Sequence, residues 1–163
     1  MLSLLPMAPI IVLTSTQIQQ EVYRYWRTLT ARNAEELRDF YATESLVFGS
    51  MSDRAETGIV AVARRVAQYS PVSLSLHAEV GSITVQLLGS DVAVASYNFD
   101  FRAVRLEKLG SGTVFEDTRT GRATQVFAYD SDGRLRIFHE HFSAPIVGAK
   151  TRLKGRQHNT DAP

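Results

Sequence analysis

The sequence predicts one α+β domain, with helices gathered towards the N-terminus and long antiparallel strands after them, the helices lying on one face of a curved sheet. Three observations predict it. Apolar residues recur at helical spacing as far as Tyr69. After Pro71 the period changes from about 3.6 to 2. Asp132-Gly133, flanked by strand-forming residues, is the strongest hairpin signal in the chain. At 163 residues and 44% hydrophobic content, the chain can bury a sizeable core but has no room for a second domain.

Thr14-x-x-Gln17 and Thr16-x-x-Gln19 are overlapping capping boxes, and Ile18, Val22, Tyr25, Trp26 and Leu29 continue as one helical face. Asn33 with Glu36 opens a short second helix through Phe40-Tyr41, whose inner face is Leu37, Phe40 and Tyr41. Leu46-Val47-Phe48 is a short strand stopped by Gly49-Ser50, and Ser52 to Thr57 reads as loop. From Gly58, the pattern Ile59, Val62, Val66, Tyr69 marks a third helix ended by Ser70-Pro71. Val72 to Leu88 alternates as one or two strands, Gly89-Ser90-Asp91 turns, and Val92 to Leu106 is a long strand. A loop at Leu109-Gly110-Ser111-Gly112 leads into the final hairpin, Arg122 to Pro145.

The organisation expected is an N-terminal arm over residues 1–15, the domain over 16–146, and a basic, flexible tail over 147–163. The apolar start has no Lys or Arg before Arg24 and is interrupted by Pro6 and Pro9, which argues against a secretory signal; it is too short to span a bilayer as a helix. A cytoplasmic protein without membrane contact is expected. Eighteen Lys and Arg against 17 Asp and Glu give a net charge of +1, which argues against a nucleic-acid partner. Lys150, Arg152, Lys154 and Arg156 stand with Asp161 in the tail, leaving 14 basic and 16 acidic groups before it. Cysteine is absent, so disulfides, thiolate zinc sites and thiol catalysis are excluded. No glycine-rich loop precedes a helix and no serine stands in a strand-to-helix elbow, so neither a dinucleotide cofactor nor a nucleophilic triad is expected.

Leu37-x-x-Phe40-Tyr41-Ala42 with Val47-Phe48, Gly58 opening a helix, and Thr124-x-Val126 running through Asp132-Gly133 to His139-x-His141-x-Ser143-x-Pro145 together resemble the nuclear transport factor 2-like (cystatin-like) superfamily. The likeness spans roughly Gln17 to Pro145. Within the superfamily, it is to SnoaL-like polyketide cyclases, ketosteroid isomerases and the association domain of calcium/calmodulin-dependent kinase II. The resemblance implies an α+β cone, three helices in the concave face of a strongly curved sheet around a pocket, and a homodimer through the convex face. It also implies that the His-x-His-x-Ser segment is structural. Aligned with ketosteroid isomerase, the oxyanion-binding tyrosine falls on Tyr25, the protonated acid on Gln125, and the catalytic base on Gly49, where it is missing. Gln125 also matches one pocket arginine of the association domain and Phe99 another, so the anion-binding role of that relative is not carried over.

Strand parity sorts the final hairpin. With Asp132-Gly133 as a two-residue turn, Ser131 opposes Arg134, Phe127 opposes Phe138 and Gln125 opposes Glu140; Gln125, Phe127, Phe138, Glu140 and Phe142 then share one face. A three-residue loop would break that parity. Thr124, Val126, Ile137, His139 and His141 take the other face. On the preceding strand, Tyr97, Phe99 and Phe101 share the aromatic face. The candidate catalytic residues are Glu140 as proton carrier, with Tyr25 and Gln125 as donors to a carbonyl or enolate oxygen. Candidate ligand contacts are Trp26, Tyr41, Phe48, Tyr97, Phe99, Phe127 and Phe138. Against this stands a salt bridge of Glu140 with Arg122 or another arginine. No metal site is expected, because His77 and His158 stand at no ligand spacing to His139 and His141. The expected function is a SnoaL-like small-molecule-binding domain with an enclosed apolar pocket, serving an acid/base isomerase, cyclase or dehydratase on a small carbonyl or cyclic compound; the alternative is a non-catalytic oligomerisation module.

Overall fold

The computed structural model describes residues 12–49, 53–69, 72–110, 112–143 and 151–153. Helix α1 (Ser15–Thr30) begins where the Thr14 hydroxyl accepts from the Gln17 amide at 3.2 Å. It buries Ile18, Val22, Tyr25, Trp26 and Leu29, the stripe read from the sequence. Helix α2 (Ala34–Arg38) is capped by Asn33, whose side chain accepts from the Glu36 amide at 3.1 Å. It stops short of the expected Phe40-Tyr41, because the Phe40 carbonyl is taken by the Ile137 amide at 2.6 Å. Strand β1 therefore starts early and covers Tyr41–Phe48.

Strand β2 (Glu56–Thr57) pairs with β1 in a segment read as loop, and α3 (Gly58–Tyr69) follows. The strands β3 (Ser73–Val80), β4 (Thr84–Leu87), β5 (Val92–Leu106), β6 (Val114–Tyr129) and β7 (Leu135–Ser143) complete the meander, and β8 (Thr151–Leu153) pairs with β6. The sheet order is β2-β1-β7-β6-β5-β3, with β4 on β5 and β8 on β6. Among the described residues only the β1–β7 ladder is parallel, so the fold is α+β with a mixed, mainly antiparallel sheet. The strong curvature expected of a cone is not present; the sheet is not strongly curled. Bulges are what bend strands, and the central β5–β6 ladder runs from Val92↔Ala128 to Leu106↔Val114 without a register shift.

The final hairpin keeps its expected Gln125↔Glu140 pair by an unexpected route. Its loop has three residues, Ser131 to Gly133, closed by the Asp130 amide on the Arg134 carbonyl at 2.9 Å, with Gly133 at φ 73°. That offsets the pairing by one residue, and Phe127 meets Ile137 rather than Phe138. A bulge at Phe138 then restores the register, so Val126 meets His139 and Gln125 meets Glu140. Ile137 consequently points into the core, fully buried, and not to the outer face.

The core lies between the helices and the inner face of β5, β6 and β7. Leu13, at the end of the expected arm, is 1% exposed and its amide bonds the Ser90 carbonyl at 2.9 Å. Residues 1–11 of that arm lie outside the described residues, while Thr14 caps α1 and Ser15 already belongs to it. Of the tail expected to be flexible, Thr151–Leu153 forms β8 on Val114–Glu116, and the remainder also lies outside. Among the described residues, no helix is long and apolar enough to cross a membrane.

Candidate functional site

Glu140 stands on the inner face of β7 with no exposed surface, and side chains from α1, β1, α3, β5 and β6 converge on it directly or through one another. The guanidinium of Arg65, on α3, donates from Nη2 to Glu140 Oε1 at 2.5 Å. The Tyr41 hydroxyl donates to the same carboxylate, 2.9 Å from Oε1 and 3.0 Å from Oε2. Gln125 Nε2 donates to Oε2 at 2.8 Å. Arg65, Tyr41 and Gln125 thus all donate to the Glu140 carboxylate, and the guanidinium sets a positive charge against it.

The directions of the remaining bonds follow from this. Tyr41 gives its proton to Glu140, so at the 3.1 Å contact Tyr25 is the donor and Tyr41 the acceptor. Arg65 Nη1 donates to both the Tyr25 hydroxyl and, at 2.9 Å, the Tyr41 hydroxyl. On the other side, Trp26 Nε1 donates to the Tyr97 hydroxyl at 3.0 Å, and Tyr97 donates to Gln125 Oε1 at 3.0 Å. Every proton in the network runs towards Glu140. The Arg65 Nε–H has no acceptor among the described residues, and the guanidinium lies 4.7 Å from the centre of the Phe142 ring.

Burial pushes the Tyr25 and Tyr41 hydroxyls well above the ordinary phenol range, with Arg65 working against it in both. Burial, followed by the Glu140 charge, raises Tyr97 as well. For Arg65, burial alone would lower the pKa, but the Glu140 carboxylate, then Tyr25 and Tyr41, hold it well above its ordinary value. The guanidinium is a fixed positive charge.

The candidate residues divide clearly. Tyr25, Tyr41, Tyr97, Gln125 and Glu140 are brought together in the network, and Trp26 joins it through its indole nitrogen. Trp26 also packs on Phe99 at 4.7 Å and Phe142 at 5.6 Å between ring centres, forming an aromatic cluster beside Arg65. Phe127 is 1% exposed in the core. Phe48 is 41% exposed and stands outside, against His139 and His141 at 5.7 and 6.1 Å, because Ser45 and Val47 take the inward positions of β1. Phe138 is the bulge residue, partly buried. Of the two readings open for Glu140, the contacts are those of the salt bridge, though not with Arg122, which is three positions from Gln125 and so faces outward. Arg65 is the residue missed. Its signal was a charge on the helical stripe of Ala61 and Val62, both buried, whereas Ile59 of the expected pattern is half exposed. Among the described residues, no group of three His, Asp or Glu is arranged to hold a metal ion.

The family model of a SnoaL-like domain matches residues 18–147. No curated protein matches the chain. Among solved structures, the chain is similar to a Xanthomonas campestris protein provisionally described as a calcium/calmodulin dependent protein kinase II association domain, at 19% identity and a TM-score of 0.65, over 89% of this chain and 94% of that one. A nuclear transport factor 2-like protein of unknown function from Pseudomonas putida KT2440 aligns at 20% identity and 0.63, over 86% and 95%. A protein from Novosphingobium aromaticivorans provisionally described as a scytalone dehydratase aligns at 14% and 0.66, over 85% and 87%. At such identities the likeness establishes the fold alone.

Proposed function

This chain belongs to the SnoaL-like domain family, with the nuclear transport factor 2-like fold, and on that premise we propose that it is a cytoplasmic small-molecule-binding domain whose ligand lies against Trp26, Phe99 and Phe142 with an oxygen turned to Arg65. The observation that carries the reading is the half-used guanidinium. Arg65 is 9% exposed, is held in place by Glu140, and keeps its Nε–H without an acceptor among the described residues. A buried cation beside an aromatic cluster suits a small ring compound with a carbonyl, enol or acidic oxygen. The chemistry open to such a site is acid/base isomerisation, cyclisation or dehydration, in which Arg65 stabilises negative charge developing on that oxygen. Glu140 then acts as a positioning residue, because its lone pairs are occupied by Arg65, Tyr41 and Gln125.

Trp26 is the only tryptophan, so its fluorescence reports on the site directly. Titration with 2-naphthol and with benzoate is expected to quench it saturably, and Arg65→Met to weaken that binding by about tenfold or more. Quenching that never saturates, or that is the same in Arg65→Met, removes the reading.

A second reading, assembly, is supported by a separate observation. Leu46 and Phe48 are 49% and 41% exposed on the outer face of the sheet, beside His139 and His141. A homodimer through this face would cover them. Sedimentation equilibrium is expected to return a dimer that Phe48→Glu dissociates; a monomeric parent chain would exclude it.

A further inference from the structure

Among the described residues, two buried side-chain polar atoms lack a hydrogen-bond partner, and both belong to one cross-strand pair away from the Arg65 site. They are Ser73 Oγ on β3 and Arg105 Nε on β5. Ser73 is 8% exposed. Residues directly opposite in an antiparallel ladder have their β-carbons about 5 Å apart, so hydroxyl and guanidinium stem are neighbours. A second guanidinium arrives from the end of α1, where Arg32 Nη1 donates to the Ser73 carbonyl at 2.8 Å. Arg32 is exposed and Arg105 partly buried, while Ser73 Oγ and Arg105 Nε are themselves buried.

Neither arginine is in a salt bridge among the described residues. The carboxylates next to Arg105's position on the neighbouring strand are committed elsewhere: Glu116 to Arg102 at 2.7 Å and Asp117 to Arg119 at 3.0 Å. Two positive charges, an unused N–H and an unused hydroxyl thus meet at one strand position. Buried groups of this kind call for a partner, and the charge selects an anion over a neutral one.

We propose that Arg105, Ser73 and Arg32 form an oxyanion-binding site, separate from the Arg65 site, that takes the carboxylate or phosphate group of a small metabolite. Arg105 Nε–H and Ser73 Oγ–H donate to its oxygens, while Arg32 contributes charge from the solvent side. The site goes beyond the aromatic cluster and does not depend on it.

Calorimetric titration of the full chain with inorganic phosphate and, separately, with acetate tests this, sodium chloride holding ionic strength constant. One of the two anions is expected to bind saturably, without quenching Trp26. Arg105→Met should weaken it about tenfold or more and Ser73→Ala several-fold, while Arg134→Met leaves it unchanged. Tighter phosphate binding points to a phosphate ester as the natural source, and tighter acetate binding to a carboxylic acid. If Arg105→Met does not fold, Ser73→Ala and Arg32→Gln carry the comparison. Absence of saturation by both anions, or parental affinity in the variants that fold, overturns the proposal.

Discussion

Replacing Glu140 with glutamine removes one negative charge and almost no volume, so its effect measures what holds Arg65 inside the protein. In the parent, the carboxylate takes donors from Arg65, Tyr41 and Gln125 and has no exposed surface. A glutamine amide keeps one acceptor oxygen and sets an N–H₂ against at least one of those donors, and the buried guanidinium loses its counter-charge. Breaking a buried pair by removing one partner costs about 3–5 kcal/mol. Glu140→Gln is therefore expected to lower the unfolding free energy by about that amount, read from urea titrations with an unchanged m-value. The double replacement Arg65→Met with Glu140→Leu leaves no unpaired charge and is expected to cost less than the sum of the two singles, a coupling of about 1–3 kcal/mol. A loss below about 1 kcal/mol for Glu140→Gln, or additive costs in the cycle, would refute the inference that the carboxylate is committed to Arg65.

Three further outcomes follow from the geometry. Gly121→Ala would set a β-carbon 2.5 Å from Phe99 Cζ and 2.9 Å from the Ser143 carbonyl; a loss of about 1–3 kcal/mol is expected in chemical denaturation, together with displacement of the aromatic cluster seen in near-ultraviolet circular dichroism. Gly133 has open space around it but a φ of 73°, so Gly133→Ala should cost only the left-handed backbone penalty of about 1–2 kcal/mol by the same assay, and a larger loss would mean that the three-residue loop is wrong. Burial raises Tyr25, Tyr41 and Tyr97 above the ordinary phenol value, so near pH 10 the unfolded chain releases protons that the native state keeps. Stability should be unaffected by these groups below that pH and fall as pH rises through it. Ultraviolet tyrosinate titration should then find three of the six tyrosines silent until the protein unfolds, and all six ionising together in native protein would contradict the network.

The order of the elements was legible because each carries a local signature. Thr14 and Asn33 cap the helices that they were expected to cap, and Val92 to Leu106 forms a strand over the range its alternation marks. Tyr41 was assigned to the wrong element because a parallel bond from distant β7 competes with helix at Phe40. Phe48 was placed on the wrong face because an eight-residue strand read as three residues gives too little alternation to fix parity.

The Gln125–Glu140 pair was read correctly from the hairpin, yet the reading succeeded through two one-residue displacements, a three-residue loop and a bulge at Phe138, that cancel. The sequence by itself determined which elements form, their order along the chain and that a buried carboxylate faces an amide across two strands. Only the tertiary structure decided what that carboxylate does, by bringing Arg65 from α3 to within 2.5 Å across 75 residues of chain. Local pattern reports hydrogen bonds and periodicities within a segment; the partner of a buried charge is chosen by which surfaces close on one another, and that is a property of the packed molecule.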